Sequence, residues 1–319
     1  MRPGRIEGVP PLRIVFAGSP AAAVPTLRAL LDGPHEVIAV VTREDSPQGR
    51  KRVLTPTPVA VEAEAAGVPV IRANRLGPVT DEIAALEPDL GVIVAYGGLV
   101  REPLLGAPRL GWINLHFSLL PRWRGAAPVQ RAIIAGDQDT GAAVFQLVPE
   151  LDAGEVFAME SQPIGRNQTA GHLLDSLAAS GATLLARVVD ELADGSAHPV
   201  AQTGEVTPAP KLTLEDGRIE WAQDAAAVDA RIRGVTPEPG AFTMLGDERL
   251  KVGAAAIAHD APRLDPGRIE ERGGRVYAGT GTDPVELLEV QPFGKRAMPA
   301  ADWWRGLASG RDGAAVVAR

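Results

Sequence analysis

The stretch Leu12-Arg13-Ile14-Val15-Phe16-Ala17 is almost wholly apolar and stops at Gly18-Ser19-Pro20. Val24, Leu27, Leu30 and Leu31 then recur at helical spacing, and a second apolar run occupies residues 37–41. Strand, turn, helix, strand is the repeating unit of a parallel sheet, and continuous apolar strands are those covered by helices on both faces. The pattern predicts a helix near 59–66, a short strand at 68–71, a helix near 79–86 and strands at 90–96 and 112–115. A helix at 128–135 and a strand at 142–148 follow. Leu173, Leu177, Leu184, Val188 and Leu192 then mark one buried face of a long helix.

After Asp194-Gly195 the texture changes. His198-Pro199, Thr207-Pro208 and Ala209-Pro210 predict an extended linker. Beyond Lys211 the chain shows short strands at 218–221, 250–252, 275–278 and 285–290, with a helix at 225–233, the pattern of a small β-barrel. The expected organisation is an N-terminal extension at 1–11, a catalytic α/β domain at 12–194, a linker at 195–213 and a β-rich domain at 214–319. Residues 1–11 read as a short disordered extension. No internal repeat is visible.

Composition narrows the chemistry. At 319 residues the chain is long enough for two ordinary cores. It has no cysteine, which excludes disulfides, a cysteine nucleophile and thiolate metal sites and fits a reducing compartment. No apolar stretch approaches the length of a membrane span, and no apolar leader opens the chain, so the cytoplasm is the expected location. Nothing points to an obligate interface between copies, so a monomer is expected. The net charge of −8 means that any nucleic acid must be held by a local basic patch. The five histidines form no i, i+4 pair, and no metal is expected.

The candidate chemistry lies elsewhere than the first turn. Gly18-Ser19-Pro20 lacks the glycines a dinucleotide pyrophosphate needs, and it reads either as a simple strand-to-helix turn or as a loop for another ligand. Asn114 and His116 lie two apart at a strand's end, so their side chains share a face. The turn Ser118-Leu119-Leu120-Pro121 follows, with backbone groups able to clasp a planar ligand. Asp152, before Ala153-Gly154, is either a capping residue or the carboxylate that orients the histidine and favours its charged form.

The surrounding residues carry a resemblance. Ile113-Asn114-Leu115-His116, the run from Ser118 through Arg122-Trp123-Arg124-Gly125-Ala126-Ala127-Pro128 to Gln130, and Leu151-Asp152-Ala153-Gly154-Glu155 resemble the signature of the 10-formyltetrahydrofolate-dependent formyltransferases. The longer run resembles the branch of that family whose acceptor is methionyl-tRNA. The likeness begins at Leu12, includes Val94-Ala95-Tyr96-Gly97 and ends near Gln291-Pro292-Phe293-Gly294-Lys295-Arg296-Ala297-Met298. It implies a Rossmann-like formyltransferase domain with a parallel-rich sheet, followed by an OB-like barrel. It implies 10-formyltetrahydrofolate as co-substrate and initiator methionyl-tRNA as partner. Asn114, His116 and Asp152 match the catalytic trio, and Ser118, Leu119, Leu120, Pro121 and Tyr96 match folate contacts. In the expected chemistry Asn114 and a protonated His116 donate to the oxyanion, while Asp152 raises the imidazole pKa and accepts the amine proton. The family has glycine where this chain has Phe117, which implies either a negative φ there or a strained turn.

The segment 43–52 joins a strand to a helix and ends in Arg50-Lys51-Arg52. It reads as a solvated surface loop on its own, and by resemblance as an insertion that grips tRNA through Arg50, Lys51 and Arg52. Glu44 and Asp45 weaken that patch. Lys211, Lys251, Lys295 and Arg296 read singly as surface charges, and together they offer a further phosphate track. Trp303-Trp304 read as a core anchor in preference to a base-stacking pair. Rival readings are a formyltransferase for a small amine, such as glycinamide ribonucleotide or an amino sugar nucleotide, a formyl-folate hydrolase, and a tRNA-binding module on a dead enzyme.

Overall fold

The computed structural model describes residues 10–49, 51–308 and 316–318. In chain order the first part holds β1 (Arg13–Gly18), α1 (Val24–Asp32), β2 (Glu36–Thr42), β3 (Ser46–Gln48), β4 (Val53–Thr55), α2 (Pro58–Ala65), β5 (Val70–Arg72), α3 (Thr80–Ala84), β6 (Leu90–Val94) and β7 (Trp112–His116). There follow β8 (Arg124–Gly125), α4 (Pro128–Ile134), β9 (Asp139–Gln146), β10 (Val156–Pro163), α5 (Ala170–Asp194) and β11 (Pro208–Ala209).

One seven-stranded sheet runs in the order β10-β9-β7-β6-β1-β2-β5. Strands β5, β2, β1, β6 and β7 are parallel, whereas β9 and β10 add antiparallel at one edge. This is the expected Rossmann-like, parallel-rich sheet. Its central parallel strands β1 and β6 are buried on both faces, as their apolar sequences require, whereas the edge strand β5 is partly exposed. Tyr96, Trp112, Ile83, Leu104 and Val15 share one of the cores against it. Gly18 admits no larger residue, because a Cβ there would lie 2.9 Å from the Val94 carbonyl oxygen. The adjoining Ser19 is buried and its hydroxyl accepts from the Arg43 amide at 3.2 Å, so the first turn serves packing.

The remainder holds α6 (Ala225–Gly234), β12 (Ala241–Leu245), β13 (Glu248–Ile257), β14 (Arg268–Arg272), β15 (Arg275–Ala278), β16 (Val285–Pro292), β17 (Met298–Pro299), α7 (Ala300–Ala308) and β18 (Val316–Val317). Its strands pair antiparallel in the order β12-β13-β16-β15-β14-β18, with β17 also on β16, as expected of the small OB-like domain. Asp224 caps α6 by accepting from the Ala227 amide at 2.7 Å. Trp303 is buried in this core with Trp304 edge-on beside it, which makes the pair the anchor rather than a stacking platform.

Chain contacts divide the molecule into two units. The first comprises Met1–Pro128, Asp139–Pro163 and Leu174–Ala209, and the second Val129–Gln138, Ile164–Leu173 and Pro210–Arg319. The stretch expected as a linker is extended, yet it lies in the first unit as far as Ala209.

Several elements differ from expectation. The helix expected at 79–86 is a 3-10 turn followed by the short α3. The strand expected at 90–96 stops at Val94, because Ala95 and Gly97 take φ values of +48° and +77°. The residues expected as a strand at 218–221 make a single bridge, Arg218 to Phe242. The loop 43–52 contains the hairpin β3–β4. Of the N-terminal extension, residues 1–9 lie outside the described residues, and so does Arg50.

Candidate active site

Strand β7 carries Asn114 and His116 to the sheet's edge of chemistry. Asn114 is paired in register with Ile93 on β6 and Phe145 on β9, and His116 with Ala143. This register faces the imidazole edge-on to the Phe145 ring, with centroids 6.3 Å apart. His116 is buried. Its Nε2 lies 2.8 Å from the Trp123 carbonyl oxygen. A carbonyl only accepts, so Nε2 carries the hydrogen and Nδ1 is the remaining ring nitrogen. That Nδ1 faces Asp152 Oδ2 at 3.8 Å. The same Oδ2 accepts from the Gly125 amide at 2.8 Å.

Burial holds the His116 pKa below its ordinary value, against the opposing pull of the Asp152 charge and the Trp123 carbonyl. The ring therefore rests neutral, and the donation expected of a protonated His116 is not available at rest. Asp152 pushes in the expected direction, but desolvation is the larger effect.

Asn114 is the other half of the site. Among the described residues its side-chain oxygen is buried and has no hydrogen-bond partner. Leaving a buried polar atom unpaired costs about 1–3 kcal/mol, so the fold tolerates it only where something else gains.

The turn after β7 holds itself in place. Ser118 donates through its hydroxyl to the Arg122 carbonyl at 2.6 Å, and the Arg122 amide donates to the Leu119 carbonyl at 3.1 Å. Leu120 packs with Ala143, Phe145 and Val156, while Leu119 is half-buried and Pro121 buried. The main chain of this turn and Leu119 are what it can offer a ligand. Phe117 is buried and is absent from the positive-φ residues, so of the two alternatives the chain takes the negative φ. Positive values occur nearby at Trp123 (+61°) and Asp152 (+47°), the residues that face the two ring nitrogens of His116.

Tyr96 does not present its phenol to a ligand. The ring is in the core and its hydroxyl donates to the Ala73 carbonyl at 2.6 Å. Burial pushes the phenol pKa up. A contact from Tyr96 is thus confined to its main chain, whose carbonyl already accepts from Arg43 Nε at 3.2 Å.

The expected basic residues are exposed. Lys51 and Arg52 flank the β3–β4 turn, and Lys295 and Arg296 follow β16. Among the described residues none of these four is paired with a carboxylate, whereas Arg28, Arg72, Arg131 and Arg233 are. Of the two acidic residues beside the hairpin, Asp45 is paired with Arg72 at 3.1 Å, whereas Glu44 accepts from the uncharged Asn74 amide at 2.7 Å and keeps its charge.

A model of the formyl transferase family matches residues 12–189 of this chain, and a model of its C-terminal domain matches residues 211–308. The chain belongs to the formyl transferase family. Among the relatives, a protein of Clavibacter sepedonicus named methionyl-tRNA formyltransferase is 62% identical over 297 residues, covering 93% of this chain and 97% of the relative. One of the same name from Leifsonia xyli subsp. xyli is 59% identical over 296 residues, covering 92% and 97%. The fold recurs in an N-formyltransferase of Helicobacter canadensis solved with folinic acid and dTDP-3-aminofucose, at TM-score 0.67 and 15% identity over 88% of this chain and all of that one. It recurs also in HypX of Aquifex aeolicus solved with tetrahydrofolic acid, at TM-score 0.62 and 18% identity over 94% of this chain and 48% of that one.

Sequence reasoning singled out Asn114, His116 and Asp152, of which the structure brings His116 and Asp152 to 3.8 Å, but missed the residues that seat them. Trp123, whose carbonyl fixes the imidazole, was visible only as part of a run. Gln202, which bonds to the Asp152 turn, gave no signal at all. A lone glutamine in a Pro-rich stretch has no spacing that marks it.

Proposed function

We propose that this chain transfers the formyl group of 10-formyltetrahydrofolate to the α-amino group of methionyl-tRNA, producing N-formylmethionyl-tRNA and tetrahydrofolate for translation initiation. The observation that carries this reading is the buried, unpartnered side-chain oxygen of Asn114, two residues before His116 of the His116–Asp152 pair. An attacking amine brings the N–H that its oxygen lacks, and the amide NH₂ on the same side chain is the donor a formyl oxygen needs. The name shared by the relatives supports the acceptor.

The folate supplies the activated formyl group, and the Ser118–Pro121 main chain with Leu119 is the surface we assign to it. The residues then divide the work. Asn114 donates to the formyl oxygen as charge grows there, an effect typically worth about 3–4 kcal/mol for one preorganised donor. The α-amino group attacks in its neutral form, which its pKa near ~8 keeps populated at pH 7. His116, neutral with its Nε2–H held by Trp123, accepts the amine proton at Nδ1. The imidazolium so formed lies against the Asp152 carboxylate, which stabilises it until the proton is returned to the leaving nitrogen. The exposed cations Lys51, Arg52, Lys295 and Arg296 are assigned to tRNA phosphates, and Arg50, outside the described residues, is assigned with them. None of the described helices is long and apolar enough to cross a membrane. A cytoplasmic enzyme fits this reading.

The test is to incubate the purified protein with 10-formyltetrahydrofolate and methionyl-tRNA and to follow both products. Formyl transfer and tetrahydrofolate release in equal amounts are expected. Transfer to glycinamide ribonucleotide or a dTDP-linked amino sugar in place of methionyl-tRNA would overturn the acceptor. Tetrahydrofolate release with no acceptor would make it a hydrolase, and no turnover at all would make it a binding module.

A further inference from the structure

We infer that Gln202 is a positioning residue for the reaction, seating the Asp152 turn and the Arg122–Gly125 run on one strap so that Asp152 faces His116; the inference rests on the formyl-transfer reading. Gln202 sits in the extended segment before β11. Its Nε2 donates to the Asp152 carbonyl at 2.9 Å and to the Gly154 carbonyl at 2.8 Å. Its Oε1 accepts from Arg124 Nε at 3.1 Å and Nη2 at 2.7 Å. One side chain thus uses both ends of its amide to join two separate loops.

Those two loops carry the groups that define the imidazole. Asp152 and Trp123 hold left-handed backbones without being glycine, a conformation that costs on the order of 1 kcal/mol or more and persists only where surrounding bonds enforce it. The enforcing bonds come from the strap. Gln202 holds the carbonyls of Asp152 and Gly154. Five residues on, Thr207 Oγ1 accepts from the Trp123 amide at 2.8 Å, and the Thr207 carbonyl accepts from the Arg124 amide at 2.9 Å. Upstream, Val200 and Val156 bond to each other at 2.8 and 2.9 Å, which fixes the strap against β10. Gly154 packs so closely that an added Cβ would lie 1.7 Å from the Gln146 carbonyl oxygen, and the next residue is held by the Gln146 amide donating to the Glu155 carbonyl at 2.9 Å. Asp152 is the charged group that acts on the His116 ring, and its distance from Nδ1 is what Gln202 sets.

The inference is tested with Gln202→Leu, which preserves bulk and removes both ends of the amide. Two readouts are taken on the full chain. The first is the His116 titration followed by NMR without any substrate. With Asp152 no longer held, its upward pull weakens, and the ring is expected to titrate lower than in the unaltered protein. The second is formyl transfer to methionyl-tRNA, where kcat is expected to fall about 10- to 100-fold, as for a misplaced catalytic group, with KM for either substrate changed less than about twofold. An unchanged His116 titration, or a loss carried in KM, would overturn the positioning role. Failure of the unaltered protein to transfer formyl, with the titration shift intact, would overturn the reading of function and leave the seating of Asp152 standing. Should Gln202→Leu not fold, Gln202→Glu is read in the same way. It retains the acceptor toward Arg124 and turns a carboxylate toward the two carbonyls.

Discussion

A neutral buried histidine beside a carboxylate has consequences at two pH-dependent levels. The unfolded chain takes up the His116 proton near about 6.5, whereas the folded chain does so only below that value. Between the two pKa values the unfolded state binds more protons, so stability rises with pH through that window. His116 therefore weakens the fold as pH drops below about 6.5 and imposes no such penalty above it. The Tm difference between pH 7.5 and 5.5 is expected to be smaller in His116→Gln than in the unaltered protein, and an equal difference would contradict the buried neutral ring. Activity follows the same sign: protonation of the attacking amine lowers kcat/KM from its own pKa near ~8 downward, and His116 is expected to steepen that acid limb only below pH 6.5. Asn114→Ala removes the donor without touching the imidazole, so kcat is expected to fall by at least about 10²-fold with the acid limb unmoved. A kcat within tenfold of normal would remove Asn114 from the oxygen site. At this scale the placement of Asn114 and His116 was legible, because residues two apart on a strand share a face whatever the tertiary structure, whereas the approach of Asp152 to the ring is tertiary. The protonation state was not, since it depends on desolvation. Nor was the backbone at Phe117, where φ is negative, while left-handed residues occur at Trp123 and Asp152.

Elements that pattern alone revealed are those buried on both faces. Strands β1, β2, β6 and β7 are continuous apolar runs for that reason, and α5 shows its buried stripe over its full length. Strand β10 escaped because it is an edge strand whose middle is largely exposed, so no alternation marks it. The hairpin β3–β4 escaped likewise, with all its strand residues exposed. Least legible was the pairing of β8 with β11, two residues each, formed between a signature motif and a Pro-rich stretch. Yet this small ladder governs the site, because Gly125 offers its amide to Asp152 from within it. Gly125 has φ +130°, and a Cβ there would lie 2.6 Å from the Ala209 carbonyl oxygen. Gly125→Ala is therefore expected to separate β8 from β11 and to release Asp152. A stability loss of about 1–3 kcal/mol in urea unfolding should accompany a drop in kcat. Loss of stability with normal kcat would show that the ladder supports the fold alone.

The whole molecule carries eight more negative charges than positive ones, and the acceptor assigned to it is a polyanion. Attraction must then come from cations left free by the rest of the surface. Lys295 and Arg296 meet that requirement: both are exposed, and neither is paired with a carboxylate among the described residues. Lys51 and Arg52 meet it in the other unit. Each phosphate contact releases condensed counterions, so the logarithm of affinity falls with the logarithm of salt by roughly 0.7–0.9 per contact. Replacing Lys295 and Arg296 together by alanine is expected to flatten the salt slope of tRNA binding by roughly 1.4–1.8, with the loss in formyl transfer appearing in KM for the tRNA. The Lys51→Ala, Arg52→Ala pair should flatten it by a similar amount, and if one tRNA engages both groups the two decrements add. The net repulsion persists in every variant and is screened as salt is added, so binding should weaken less steeply at low salt than at high salt. A salt slope unchanged by either pair would remove those cations from the interface. A slope lowered equally for a random RNA of the same length would leave them as phosphate contacts that carry no choice of acceptor, and would place that choice at the Asn114 site, where the aminoacyl end must fit.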